Sequence, residues 1–376
     1  IKKGHAYYCF CTQERLEKMR KDQEAKHMPP MYDGLCRALD SQKSLERVKN
    51  GERHVIRLNV PDEGTTSFSD IIRGEISFEN KLLDDQVLLK SDGFPTYHLG
   101  VVVDDHLMEI SHIIRGEEWI SSTPKHILLY DFFGWEKPVF AHMPLLRNPD
   151  KSKLSKRKNP VWVSWFREEG FLPEAIRNYL ASMAWSYPGG RDIFSTEEMI
   201  EVFDLSQIKT TAPIFDIEKL KWMNKQYIMK KTPSEFVSLV SGASVYRQEP
   251  NFNSIALDTA PLVQPRIGTL NEYDLMIGSL YKRPEVDGPF ISPANLGTAS
   301  VALNTVQNHW DHTSMEREIR EKATQNNQKA KDVFMDLRVA VTGKTVGPPL
   351  LEWIEKLGYN ETLVRIEEAK KKAQKK

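Results

Sequence analysis

The sequence lacks long apolar stretches and a recognisable leader. Its 376 residues contain no apolar run near the roughly 18 residues of a membrane-spanning helix. The opening segment, Ile1-Lys-Lys-Gly-His5, has no methionine and no apolar stretch. It is therefore neither a signal peptide nor an evident native start. We expect a protein without a membrane partner, whose numbering begins inside a longer polypeptide.

Cysteine is scarce, and neither sign of charge is in excess. The 3 cysteines are too few for a disulfide framework in a chain of this length. This favours a reducing compartment, with the cytoplasm as the default and an organellar matrix as the alternative. Basic and acidic residues number 52 each, so no overall field attracts nucleic acid. Any contact with RNA must come from local patches, and the length predicts several domains.

Strands and helices alternate between residues 86 and 135. Val87–Leu89 and Glu109–Ile114 have the composition of strands, and the second leads into Arg115–Trp119. A helix should follow, because Ser122–Pro124 supplies an N-cap and a first-turn proline and Gly134 suits a helix end. Ligands of α/β folds collect at the carboxyl ends of strands. Residues 115–119 are therefore expected to lie at a ligand site.

A basic loop follows this region. Lys151-Ser-Lys-Leu-Ser-Lys-Arg-Lys158 carries five basic residues in eight positions. Such a loop could wrap a polyphosphate, but basic runs are common and charge alone identifies no ligand. The residues alone leave both interpretations open: a phosphate-binding loop or a solvated one.

The three cysteines form a pattern with one tyrosine. Cys9 and Cys11 make a C-x-C pair, and Tyr32 precedes Cys36 in a Y-x-x-x-C pair. Three thiolates and a phenolate could close a four-ligand structural zinc site. The alternative is a set of reduced cysteines without metal.

The basic loop stands among segments that resemble one family. Lys153-Leu-Ser-Lys-Arg157 resembles the KMSKS signature of class I aminoacyl-tRNA synthetases, in the KLSKR form common among glutamyl-tRNA synthetases. Other segments resemble the catalytic, stem-contact and C-terminal parts of that family in the same order: Phe94–Leu99, Ile114–Trp119, His142–Leu146, Gly170–Ala175, Phe215–Leu220, Trp222–Asn224 and Leu337–Gly343.

The resemblance implies a multidomain fold in five regions. These are an α+β acceptor-binding insertion (residues 1–93), the second half of a Rossmann-type α/β catalytic domain (94–150), an α-helical stem-contact domain with the basic loop (151–232), and two all-α anticodon-binding domains (233–286 and 287–376). Family members begin with a strand and a His-Ile-Gly-His-like loop, which this sequence lacks. The resemblance therefore implies that the chain alone is inactive.

The resemblance also implies an activity and a set of substrates. Glutamate would react with ATP, accompanied by Mg²⁺, and would then pass to the 3′ end of tRNA(Glu) on a monomeric enzyme. Lys153 and Lys156 would stabilise the charge that develops on the leaving pyrophosphate. The guanidinium of Arg115 would bind the side-chain carboxylate of glutamate, and Tyr97 would also contact glutamate.

Further roles are carried over in the same way. Glu118, Trp119 and Leu146 would line the nucleotide site together with Lys156, and Arg266 would read an anticodon base. The residues alone leave plainer interpretations open: Tyr97 and Trp119 could be core aromatics, and Arg266 a surface arginine. The same family sometimes carries zinc on a C-x-C and Y-x-x-x-C pattern, which makes Cys9, Cys11, Tyr32 and Cys36 the candidate ligands.

Two other functions compete with this interpretation. A glutamyl-queuosine tRNA synthetase-like enzyme shares the catalytic and zinc motifs but lacks the long region that follows Thr232. A non-catalytic tRNA-binding fragment would have no first half-domain. The P-loop suggested by Gly343-Lys-Thr345 is rejected, because the required glycine five positions earlier is Arg338.

Overall fold

The computed structural model describes residues 1–154, 161–286 and 291–374. These fall into two compact units. Unit 1 comprises Ile1–Leu154, Ala181–Asp192 and Glu197–Phe215, and unit 2 comprises the described residues of Ser155–Leu180, Ile193–Thr196 and Asp216–Lys376. Within the described ranges, no helix has the length and apolar character needed to cross a membrane. The five regions expected from the sequence stay a prediction.

The strands all precede residue 144 in the described chain, and helices follow. The strands are β1 (Ala6–Cys9), β2 (Val55–Leu58), β3 (Thr65–Asp70), β4 (Gly74–Glu79), β5 (Val87–Leu89), β6 (His112–Gly116) and β7 (Val139–Met143). The helices are α1 (Gln13–Ala25), α2 (Ser41–Lys49), α3 (Tyr97–Leu107), α4 (Thr123–Phe133), α5 (Val163–Glu168), α6 (Pro173–Ala184), α7 (Thr196–Val202), α8 (Ile217–Met229), α9 (Pro233–Ala243), α10 (Phe252–Val263), α11 (Glu272–Tyr281), α12 (Pro293–Thr305), α13 (His312–Gln325), α14 (Ala330–Thr342), α15 (Leu350–Leu357) and α16 (Tyr359–Gln374).

Unit 1 contains two sheets. An antiparallel sheet has the order β1-β2-β5, and a mixed sheet has the order β4-β3-β7-β6. In the mixed sheet β7 runs parallel to both β3 and β6. Helix α4 joins β6 to β7, which makes the β-α-β unit of a Rossmann-like domain. The fold class expected from the sequence is confirmed.

The register of β6 and β7 matters for the site. Arg115 lies opposite His142, and Gly116 lies opposite Met143. The strand begins at His112 rather than at Glu109, because Glu109 takes a positive φ of 56° and ends a turn. The two side chains at positions 115 and 142 therefore meet at the carboxyl edge of the sheet.

Helix α4 begins and ends close to the predicted residues. Pro124 lies in its first turn, and Gly134 ends it in the left-handed conformation at φ 72°. Ser122 is the N-cap residue, as expected, although its side chain forms no cap hydrogen bond with any described residue. The hydroxyl of Thr123 donates a hydrogen bond to the carbonyl of Trp119 at 3.0 Å.

Each unit has its own hydrophobic core. In unit 1, residues of both sheets, α3 and α4 form one cluster around Leu58, Val102, Ile127 and Phe140. In unit 2 the helices from α8 to α16 bury a larger cluster that includes Phe236, Leu296 and Trp353. Gly343 caps α14 in the left-handed conformation. It therefore ends a helix, which agrees with the rejection of a P-loop there.

Candidate functional site

A guanidinium occupies the carboxyl end of β6. Arg115 donates from Nε to His142 Nε2 at 3.1 Å and from Nη2 to Thr123 Oγ1 at 2.8 Å. Its Nη1 lies 3.4 Å from His126 Nδ1. No carboxylate of the described residues forms a salt bridge with it. Burial lowers the pKa of Arg115, yet an arginine stays charged at neutral pH. A partly buried cation without a counter-charge is suited to an anionic ligand.

The tautomer of His142 is fixed by its two neighbours. Its Nδ1 lies 2.6 Å from Asp70 Oδ2, and its ring is fully buried. An ionised carboxylate only accepts hydrogen bonds, so the Nδ1 proton faces Asp70 and Nε2 is left to accept from Arg115. Burial, and then the charge of Arg115, lower the pKa of His142 although Asp70 acts in the opposite direction. The imidazole is thus a neutral acceptor.

A second pair of histidines continues the network. His126 Nε2 lies 3.0 Å from His98 Nδ1. Burial, followed by the nearby charge of Arg115, lowers the pKa of His126 to about 3. Burial likewise lowers the pKa of His98. Both rings are neutral near pH 7, so this side of the guanidinium also lacks a counter-charge.

Two aromatic rings lie beside Arg115. The ring centroids of Tyr97 and Trp119 are 4.8 Å apart, and the guanidinium carbon lies 5.9 Å from the Trp119 ring. Tyr97 is the first residue of α3 and is 50% exposed. The structure therefore brings together Tyr97, Arg115 and Trp119, which the sequence singled out. The exposure of Tyr97 excludes a core-aromatic role for that residue.

The two acidic residues that follow β6, Glu117 and Glu118, pair with different cations. Glu117 pairs with Arg73 at 2.7 Å, and Arg73 also donates to the carbonyl of His142 at 3.0 Å. Glu118 is exposed, and its Oε1 lies 3.4 Å from Lys153 Nζ. Glu118 and Lys153 are thus near each other as expected for one nucleotide site. Lys156 and Arg157 lie outside the described residues.

The first half of the basic loop is a tight reversal. Leu146 accepts from the amide of Leu154 at 3.1 Å, and Asn148 donates to the carbonyl of Ser152 at 2.8 Å. Between them Lys151 takes a positive φ of 66°. Leu146 and Lys153 are therefore on facing arms of one hairpin. An exposed lysine on such an arm, 60% exposed at its side chain, is accessible to an anionic ligand.

The predicted zinc ligands converge. The Sγ atoms of Cys9, Cys11 and Cys36 all lie within 4.8 Å of one another. The hydroxyl of Tyr32 lies 3.2 Å from the sulfur of Cys11 and 3.5 Å from that of Cys9. Three sulfurs and one oxygen around a common centre fit the four ligands of structural zinc.

The charges near this cluster also suit a metal. Burial raises the pKa of Cys11 to about 11 and raises that of Tyr32, whereas bound Zn²⁺ favours the deprotonated ligands. Arg15 Nη1 lies 3.5 Å from the Cys11 sulfur, and the guanidinium of Arg57 lies 4.0 Å from the Tyr32 ring centre. Two cations therefore stand beside four ligands that would be anionic.

Arg266 lies in unit 2, just after the end of a helix. Helix α10 ends at Val263, a short 3₁₀ turn covers Gln264–Arg266, and Ile267 is extended before the chain bends at Gly268 and Thr269. Arg266 is exposed and donates from Nη1 to the carbonyl of Leu262 at 2.8 Å. Its exposed position is compatible with a ligand at the surface.

Four residues of the site were not predicted from the sequence: Asp70, Thr123, His126 and His142. Each is at most 2% exposed. The available signal was the end of a second strand near His142, parallel to the strand that ends at Arg115. A sequence cannot supply that pairing by itself, because the register of parallel strands is set across a long crossover.

Comparison with known protein families identifies the class of protein to which this fold belongs. The family described as "tRNA synthetases class I (E and Q), catalytic domain" matches residues 1–222, and "Anticodon binding domain" matches residues 213–370. The chain belongs to this class I family, whose catalytic model matches more than half of it.

Its relatives are glutamate–tRNA ligases. One from Acidothermus cellulolyticus is 44% identical over 97% of this chain and 76% of its own length. One from Acinetobacter baumannii is 41% identical over 98% of this chain and 74% of its own length. A solved structure, "a glutamate tRNA ligase from Elizabethkingia meningosepticum CCUG26117 in complex with its amino acid", is 30% identical with a TM-score of 0.83. It covers 98% of this chain and 79% of that chain.

Proposed function

We propose that this chain carries the second half of the glutamate-activating site, without the His-Ile-Gly-His-like part, and the tRNA-binding region of a glutamate–tRNA ligase. Glutamate's α-carboxylate attacks the α-phosphate of ATP, which is used as its Mg²⁺ complex, and pyrophosphate leaves. The glutamyl group of the adenylate then passes to the 3′-terminal ribose of tRNA(Glu). Binding of the reactants side by side accounts for much of the acceleration in both steps.

The observation that carries this proposal is that Arg115 has no charged hydrogen-bond partner among the described residues. Its guanidinium contacts only uncharged acceptors among the described residues. A side-chain carboxylate would be its first counter-charge there, and glutamate supplies one. Tyr97 and Trp119 would form the wall of the same pocket.

The nucleotide is proposed to lie beside Glu118. Trp119 and Leu146 would line its site, and Lys153 would approach the phosphates from the hairpin arm. Lys156, which lies outside the described residues, would stabilise the leaving pyrophosphate together with Lys153.

The metal and the RNA contacts complete the proposal. Cys9, Cys11, Tyr32 and Cys36 would hold one structural Zn²⁺, and Arg266 would contact an anticodon base. A monomer in the cytoplasm is the form we propose. The match of the anticodon-binding family to residues 213–370 disfavours the short queuosine-type enzyme, because that enzyme lacks this region.

The test is glutamate-dependent exchange of pyrophosphate into ATP by the intact protein, rather than by this chain alone, in the presence of tRNA. Arg115→Leu should raise the KM for glutamate by roughly 100-fold or more, because two charge-assisted hydrogen bonds are lost, while the KM for ATP changes little. Arg53→Leu is the matched control, since Arg53 is exposed and its side chain forms one hydrogen bond within the described residues, to Ser91 at 3.1 Å. No exchange with glutamate in the wild-type protein, or an unchanged KM in Arg115→Leu, would overturn the proposal.

A further inference from the structure

The guanidinium of Arg115 is held by three uncharged groups. An arginine has five N–H donors. His142 takes the one on Nε, Thr123 takes one on Nη2, and His126 lies nearest to one on Nη1. These three groups leave one N–H on each terminal nitrogen, and the exposed Tyr97 also interacts with the guanidinium through its hydroxyl. A carboxylate can accept from such a pair with both of its oxygens.

Two of these groups can only accept from Arg115. Thr123 has two acceptors for its single hydroxyl proton, the carbonyl of Trp119 at 3.0 Å and Nε2 of His142 at 3.2 Å, and with either one its oxygen is free to accept from Arg115. His142 keeps its proton on Nδ1, towards Asp70. The arrangement of donors and acceptors is therefore determined by groups that lie behind the guanidinium.

The charge of Asp70 does not reach Arg115 directly. Its Oδ1 accepts from the amides of Ile72 and Arg73, both at 3.0 Å, and its Oδ2 accepts from the amide and the ring of His142. Four hydrogen bonds saturate this carboxylate. The imidazole thus separates a buried anion from the cation, and it orients the cation without neutralising it.

We propose that His142 and Thr123 are positioning residues for the side-chain carboxylate of the substrate. They orient the guanidinium of Arg115 without neutralising its charge, so the charge stays available to the substrate. The proposal rests on the proposed function, and it adds a basis for selectivity. A carboxylate gains the attraction of a cation that forms no salt bridge with a described residue and is approached only at longer range by Asp105, whereas a side-chain amide gains only hydrogen bonds. Loss of a group that orients the guanidinium should therefore weaken the binding of glutamate more than the binding of glutamine.

The test compares two replacements of the same histidine. His142→Asn keeps an N–H where Nδ1 stood but has no acceptor at the Nε2 position, whereas His142→Gln can place its Oε1 there. We expect His142→Asn to raise the KM for glutamate on the order of 10-fold or more, and His142→Gln to recover most of that loss. The KM for ATP and the inhibition constant of glutamine should stay within about twofold of wild type.

Thr123→Val gives a second measurement with little change of volume, at a residue that also contacts Nε2 of His142 at 3.2 Å. It removes one acceptor from a fully buried position, and it should raise the KM for glutamate on the order of 10-fold. His112→Asn is the matched control, because His112 is exposed at the other end of β6 and contacts Ser111. Its constants should equal those of the wild type.

Each outcome either supports or overturns the inference. Equal losses for glutamate, glutamine and ATP would mean general loosening of the pocket and would overturn the inference. It is also overturned if His142→Gln is no better than His142→Asn while both proteins melt like the control. A wild-type protein without glutamate-dependent exchange would overturn the proposed function, and this inference with it. Wild-type activity combined with unchanged variants would overturn the inference alone.

Discussion

Replacing Asn224 should destabilise unit 2 strongly. Its fully buried side chain accepts from the amide of Leu172 at 2.7 Å and donates to the carbonyl of Gly268 at 2.7 Å. It also lies 3.4 Å from the carbonyl of Gly170. One amide thus joins helix α8 to two loops that are far away in the sequence. Asn224→Ala removes these bonds and leaves two buried backbone groups without partners.

The expected loss follows from those two groups. Each unsatisfied buried group costs about 1–3 kcal/mol, so the two groups left by Asn224→Ala should lower the free energy of unfolding by about 2–6 kcal/mol. At about 2–4 °C per kcal/mol for a unit of this size, the melting temperature should fall by roughly 4–24 °C. Chemical denaturation measures the loss, and hydrogen exchange at the amide of Leu172 should accelerate before global unfolding. Asn251→Ala is the control, since Asn251 is exposed and makes no side-chain cap bond within the described chain. A loss below about 1 kcal/mol, or slow exchange at Leu172, would refute the reasoning.

Two further predictions concern protons and metal in unit 1. Burial lowers the pKa of His126 to about 3, below the value of about 6.5 in an unfolded chain. Its contribution to stability is therefore present above about pH 6.5 and is lost as pH falls towards about 3, by up to about 1.4 kcal/mol per pH unit. His126→Phe should flatten this fall in melting curves between about pH 7 and 4, and an equally steep fall would contradict the assignment. The purified protein should hold about one zinc ion per chain by elemental analysis. Cys36→Ser should reduce that content, and equal zinc in both proteins would exclude Cys36 as a ligand.

The parts of the structure that the sequence predicts are those with local signals. Proline near its start and glycine at its end indicate α4, and the spacing of Cys9, Cys11, Tyr32 and Cys36 indicates a common centre. Such signals act within a few residues along the chain, or through a pattern known to close one site. The carboxyl end of β6 was predictable for the same reason.

The parts that the sequence does not predict depend on pairing between distant segments. Asp70 reaches His142 across 72 residues, and Asn224 reaches Leu172 across 52. Neither residue stands in a periodic pattern, and a buried polar residue looks in the sequence like any surface one. Their roles follow only from the parallel pairing of β3 with β7 and from the packing of α8 against a turn.

Gly170 is a backbone position whose role also depends on a distant segment of the chain. Its φ is 80°, and a Cβ there would lie 2.6 Å from the amide nitrogen of Leu270. The carbonyl of Gly170 accepts from that amide at 3.0 Å. Glycine is therefore required twice, once for the left-handed conformation and once for the close approach of another loop. Only the first requirement can be inferred from the sequence, because a turn depends on neighbouring residues. The second depends on the loop at Leu270, which is distant in the sequence.

The contrast between the two cations of the site gives the proposed function its physical logic. Lys153 is exposed and meets Glu118 at 3.4 Å, so solvent screens its charge and it can follow phosphates that move and leave. Arg115 is partly buried among neutral groups and is fixed at three of its five donors. A fixed, uncompensated cation selects a ligand by charge and geometry, whereas a mobile, screened one tolerates change in its ligand during reaction. The first property is what recognition of a substrate side chain needs, and the second is what the departure of pyrophosphate needs.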